Sequence, residues 1–269
     1  MDDHLPEFDA PPVIETVIGV QFQPLADYTT AHAGWFWRQH LDRADWPKVI
    51  ETEPLQDQFE LFGDEKKWGM PVFQIRMGAA PDRTQFVRKD DERLIQLQKT
   101  RFIYNWRKRT CDYPRYRKLL PEFDAQFENF AAFVREVDLG EVNLNQWEMT
   151  YVNHILKGEL WNSPEDWPNV IPKLYLPPRC LPDTAIDSLA AEWSLGLPQN
   201  RGRLHVSLKH GRLRSATGPE ALILQLTARG PLAAIQDLHG NLELAHESIV
   251  RSFAGMTSET AHRHWKRRS

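Results

Sequence analysis

The run Leu144-Asn145-Gln146-Trp147-Glu148-Met149-Thr150-Tyr151-Val152-Asn153-His154-Ile155-Leu156 sets large apolar side chains at Trp147, Met149, Tyr151 and Ile155 against polar ones at Glu148, Thr150 and His154. A period of two predicts a strand with one face on a core. Residues 13–23 repeat the pattern, with Ile14, Ile18, Val20 and Phe22 on one side and Glu15 on the other. The two runs also lead into similar successions of elements. After the first come a short helix holding Gly34, Trp35, Phe36, Trp37 and Leu41, and strand-like runs at 58–62, 71–76 and 85–89. A long strand over 93–106 is next, then a helical stripe of Leu119, Phe123, Phe127, Phe130, Val134 and Val137, closed at Gly140. After the second come a short helix over 164–174, opened by Ser163-Pro164-Glu165-Asp166, and a proline-rich loop at 176–182. Strands at 189–197, 202–209 and 221–228 precede a long helix over 231–253, with Leu232, Ile235, Leu238, Leu242, Ile249 and Phe253 as its stripe.

The expectation is an α+β fold built by tandem duplication of a β-α-β-β-β-α unit. The halves are 1–140 and 141–269, forming one compact pseudo-two-fold unit whose antiparallel sheets are each covered by a long helix. Such a saddle resembles the arrangement of the TATA-binding protein; the analogy is one of shape and carries no function. Glu15 and Glu148 would occupy equivalent places on the two leading strands.

Composition narrows the classes. With 269 residues, 41% hydrophobic, 26% charged and a net charge of −4, the chain is neither disordered nor fibrous. The longest stretch without a formal charge is 16–26, short of the roughly 18–20 residues a bilayer crossing needs, so no membrane span is expected. No basic residue precedes an apolar run near Met1, which leads to an expected cytoplasmic location. Cys111 and Cys180 are expected to be free thiols, and no paired-cysteine zinc motif is present. Phosphate-binding glycine loop, nucleophile elbow and His-Glu-x-x-His are all absent, so no cofactor is expected and the reading leans away from an enzyme.

One segment stands apart. Residues 99–118 hold eight bases and one acid, interleaved with Phe102, Tyr104, Trp106, Tyr113 and Tyr116. Cations for phosphate and aromatic faces for bases are what a nucleotide or single-stranded nucleic acid requires. Residues 119–170, however, hold ten acids against two bases, and neutralisation within the fold, with the aromatics in the core, is the plainer reading. The candidate ligand-binding residues are Arg101, Asn105, Trp106, Arg107, Tyr113, Arg115 and Tyr116, with Glu15 and Glu148 as strand carboxylates that would pair arginines such as Arg101 or Arg107. His154 and the helix-face set Glu243, His246 and Glu247 are read as ordinary structural pairs, and the basic tail 262–268 as disordered.

The blocks Pro11-Pro12-Val13-Ile14-Glu15, Leu97-Gln98 within 94–99, Asn105-Trp106-Arg107, Tyr113-Pro114-Arg115-Tyr116, Tyr151-Val152-Asn153 and Ala245-His246-Glu247 fall in this order along the chain. Together they resemble a sporadically distributed bacterial family of about this length. The resemblance spans nearly the whole chain and implies no assigned reaction, hence no catalytic residues. A patchy distribution implies a setting among mobile or defence-associated genes.

The functional expectation is a non-catalytic protein that recognises a protein partner or a small anionic ligand in a cleft between its halves. Binding of nucleic acid or a nucleotide through 99–118 is the alternative. No metal site is expected.

Overall fold

A computed structural model describes residues 4–63, 82–176, 181, 183–213 and 217–268. The first half contains β1 (Val13–Phe22), α1 (Thr30–His40), β2 (Lys48–Thr52), β3 (Arg83–Val87), β4 (Arg93–Gln98), β5 (Arg101–Arg107) and α2 (Tyr116–Glu136). The second contains β6 (Leu144–Leu156), β7 (Ala190–Gly196), β8 (Arg203–Arg212), β9 (Glu220–Pro231), α3 (Leu238–Met256) and α4 (Glu259–His264). The fold is α+β, with the nine strands in one antiparallel sheet of order β2-β3-β4-β5-β1-β6-β9-β8-β7. The two expected sheets are thus one, joined where β1 pairs with β6.

α1, α2 and α3 cover one face. The predicted α2 stripe is buried at Leu119, Phe123, Phe127, Phe130 and Val134. Phe123 meets Phe102 of β5 at 5.9 Å and Phe130 meets Phe22 of β1 at 5.9 Å. α3 buries Leu242, Ala245, Ile249 and Phe253 over β6 and β9. The other face of the sheet is polar.

Several expectations are corrected. The long strand over 93–106 is a hairpin, β4 and β5, turning at Lys99-Thr100 with Gln98 opposite Arg101. Neither turn residue takes a left-handed backbone, so no glycine or asparagine marks the bend. Residues 58–62 form no strand and lie across the polar face, while β2 forms directly after Pro47, where no strand is expected. The run 71–76 and Cys180 lie outside the described residues. The helix over 164–174 is a short 3-10 turn, Pro164–Asn169, capped by Asp166, whose Oδ2 accepts from the Asn162 and Ser163 amides. The last long helix starts at Leu238 because the chain is still bonded to β6 at Leu232, whose amide donates to the Asn145 carbonyl; Ile235 is consequently exposed. The basic tail is ordered: Trp265 and His262 are buried, and Phe8 bridges Arg267 beneath them. Among the described residues no helix is long and apolar enough to cross a membrane.

Candidate functional site

On the helix face, α2 begins beside the middle of α3, and the gap between them is a cavity of about 920 Å³. Its floor is Val13, Tyr151 and Asn153 of β1 and β6, and its walls are 113–118, Glu243, His246 and the segment His4–Phe8. Short blocks far apart in the chain meet here: Pro11 and Val13, Tyr113-Pro114-Arg115-Tyr116, Tyr151 and Asn153, and His246. The cavity falls within the roughly 300–1,000 Å³ of small-molecule pockets.

A chain of hydrogen bonds crosses it. The hydroxyls of Tyr113 and Tyr151 are 2.6 Å apart, and the Tyr151 hydroxyl is 3.0 Å from His246 Nδ1. The Tyr116 ring stacks on the imidazole at 4.2 Å. Burial, and secondarily the charge of Arg117, brings His246 down to about 4, so its ring is neutral at neutral pH. Burial pushes Tyr113 up to about 12 and Tyr151 well above the usual phenol range. All three groups are uncharged. They orient and donate hydrogen bonds but supply neither phenolate nor imidazolium, which suits recognition better than nucleophilic chemistry.

The rim is cationic. Arg115, Arg117, Lys118 and Arg268 line it against Glu7 and Glu243. Asp9 spans two of the arginines, at 3.7 Å from Arg115 and 2.5 Å from Arg268. Among the described residues no side chain caps the N-terminus of α2, a helix of 21 residues whose first-turn amides and dipole add positive potential at the same place. Arg115 itself sits at φ 75°, ψ 151°, a backbone region that glycine alone adopts readily.

The sequence-predicted residues are divided between the two faces. Tyr113, Arg115 and Tyr116 line the cavity. Trp106 is 0% exposed, packed 5.4 Å from Tyr113, and offers no face to a ligand; Phe102 and Tyr104 are core as well. Arg101, Asn105, Arg107, Glu15 and Glu148 point to the polar face, because a strand's successive side chains alternate. There Asn105 donates to Glu15 at 2.7 Å and Arg101 lies 3.9 Å from Glu148. Burial raises the Glu15 carboxyl despite that bond. Glu15 stands opposite Val152 and Glu148 opposite Gly19, four residues along β1, a separation of roughly 13 Å that prevents the two from sharing a proton. Of the two strand carboxylates, Glu148 lies beside an arginine, Arg101, whereas Glu15 is bonded by the Asn105 amide.

Two groupings of residues escaped the sequence. His246 and Glu243 read as one helix face, and the structure adds what spacing lacks, the stacked Tyr116 and bonded Tyr151; Glu247 turns away to Arg251 at 2.7 Å. Glu60, Arg203, His205 and Arg229 carry no motif, and only the fold assembles them. No cluster of metal-ligating side chains occurs among the described residues. No protein-family model and no curated protein sequence matches the chain.

Proposed function

We propose that the protein binds a small anionic ligand in the cavity between α2 and α3, without chemistry of its own. The observation that carries this reading is the cationic side of the rim, Arg117 and Lys118 beside the Asp9-paired Arg115 and Arg268, around a neutral Tyr113–Tyr151–His246 chain. The rim attracts the charge, and the neutral donors orient the rest of the molecule. A nucleotide is the alternative ligand, since three of the rim cations and the stacked Tyr116 come from 99–118; Trp106 and Phe102, being buried, take no base.

We also infer that the cavity lies between two copies of one ancestral unit arranged as a saddle. In each half the leading strand pairs with the last strand, and Glu15 faces Arg107 as Glu148 faces Arg229. The pairs Glu15–Val152 and Gly19–Glu148 lie symmetrically about Val17–Thr150, as a two-fold axis through that pair requires. Four of the six blocks that carry the resemblance to the sporadic bacterial family, those of Pro11 and Val13, Tyr113–Tyr116, Tyr151 and Asn153, and His246, line the cavity, which supports placing the shared role here.

The test is a thermal-shift titration of the full chain with phosphate, small carboxylates, nucleoside monophosphates and a short single-stranded oligonucleotide. A ligand at a hundred times its Kd stabilises by about 2.7 kcal/mol, a rise of roughly 5–10 °C. Combined Arg117→Ala and Lys118→Ala should weaken that ligand roughly tenfold or more, whereas Arg107→Ala, on the other face, should not. If Arg107→Ala weakens it and the cavity pair leaves it unchanged, the reading is wrong. A steep salt dependence confined to the oligonucleotide moves the choice to nucleic acid.

A further inference from the structure

The polar face of the sheet holds an extended stretch of the chain itself. Residues 53–62 run across the strands rather than along them, from β4 to β8. Their backbone is held by side-chain amides and by two guanidinium groups, those of Arg101 and Arg203. Gln98 both donates to the Leu55 carbonyl and accepts from its amide, each at 2.9 Å. Arg101 donates to the Gln56 carbonyl at 2.7 Å. Gln21 accepts from the Gln58 amide at 3.0 Å and Gln146 from the Glu60 amide at 3.4 Å. At the far end the buried Glu60 carboxylate meets three cationic or titratable donors of the second half, Arg203 at 2.5 Å, His205 at 2.6 Å and Arg229 at 2.6 Å.

We propose that this face is a groove for an extended acidic peptide of a partner protein, and that residues 54–62 are its resident occupant with Glu60 as the anchor. Recognition of a backbone by side-chain amides is tolerant of sequence, and the Arg203–His205–Arg229 cluster selects a carboxylate at one position. The resident contributes little to the core: Phe59 is 57% exposed, and Leu55 and Leu61 are only half-buried. The side chains that hold it, Gln21, Gln98, Arg101, Gln146, Arg203 and Arg229, are polar, so its removal leaves groups that water satisfies. Past Glu60 the same face continues, among the described residues, as a groove of about 330 Å³ lined by Ser194, His205, Ser207, Gln225, Thr227 and Glu192, the last paired with Lys209 at 2.9 Å, room for a peptide longer than the resident. This groove and the helix-side cavity lie on opposite faces, so neither proposal depends on the other.

A fluorescent synthetic peptide with the sequence of residues 54–62 is the probe, added to full-length wild type and to Glu60→Ala. The variant should bind it at least tenfold more tightly than wild type, whose groove is filled, and a peptide with glutamine for its glutamate should lose that gain. Arg203→Ala with Arg229→Ala in the Glu60→Ala background should abolish binding. A folded Glu60→Ala protein that binds the peptide no better than wild type overturns the proposal. If that variant does not fold, hydrogen exchange of wild type decides: excess peptide should accelerate exchange of the Gln58 and Glu60 amides, and unchanged exchange overturns it. Displacement of residues 54–62 by a single-stranded oligonucleotide but not by the peptide overturns it as well.

Discussion

At the scale of the residue, His246 shows how burial sets chemistry. Its ring stacks on Tyr116 and meets the Tyr151 hydroxyl, and burial, then Arg117, moves its titration from an ordinary 6.5 to about 4. The unfolded chain therefore binds more protons than the folded one between those values, and stability falls as pH drops through that window. At pH 5 the loss is about 2 kcal/mol. Denaturant unfolding at pH 7 and pH 5 should show wild type losing about that much more than His246→Gln; equal losses would place the imidazole in water. Arg115 makes a second point, for a non-glycine residue at φ 75° keeps a strained backbone where its guanidinium reaches both Asp9 and the cavity rim.

At the scale of the element, packing decides what periodicity leaves open. The start of β8 and the end of β9 come together over the fully buried Trp147 of β6. A Cβ on Gly230 would meet the Arg201 carbonyl and lie 2.8 Å from the Trp147 ring, and one on Gly202 would lie 2.7 Å from the same ring. Gly230→Ala should destabilise by about 3 kcal/mol, the upper end of the range for overpacking. Gly211→Ala, where no atom of the described residues lies within 4 Å, is the control and should change stability little in the same denaturant series. Neither Gly202 nor Gly230 marks itself in the sequence, because the requirement comes from the Arg229 and Arg201 carbonyls across the β8–β9 pair and from the Trp147 ring, all distant in the chain. α2 is the opposite case: its phenylalanine stripe is legible because every contact it needs recurs at helical spacing on one element.

At the scale of the whole molecule, the β1–β6 pair is the seam. It joins the halves into one sheet, and both the cavity and residues 53–62 cross it. Residues 1–140 made alone would expose β1, a long strand with a row of unsatisfied backbone groups. They should form a dimer or a precipitate and no stable monomer in analytical ultracentrifugation, since the seam's near-two-fold register lets β1 pair with its own copy. A well-folded monomer would show that each half is complete by itself.

The α+β class, the leading strands and the two long helices were determined by the sequence, because each rests on side chains close together in the chain. Leu144–Leu156 alternates and folds as written, and Phe123, Phe127 and Phe130 lie where their spacing puts them. The hairpin at Lys99-Thr100 was hidden because its turn needs no special residue; its one trace is a slip in the apolar phase, from Ile95 and Leu97 before it to Phe102, Tyr104 and Trp106 after it. The division of Arg101 and Arg107 from Tyr113 and Tyr116 between opposite faces was beyond it too. The arginines are fixed by strand parity, the tyrosines by the loop that carries the chain around to α2. Only the tertiary structure brings Tyr113, Tyr151 and His246 into one chain of hydrogen bonds, or Glu60 to Arg203 across 142 intervening residues. Local pattern encodes elements, whereas a site made of contacts between distant elements exists only once the core has packed and fixed their positions.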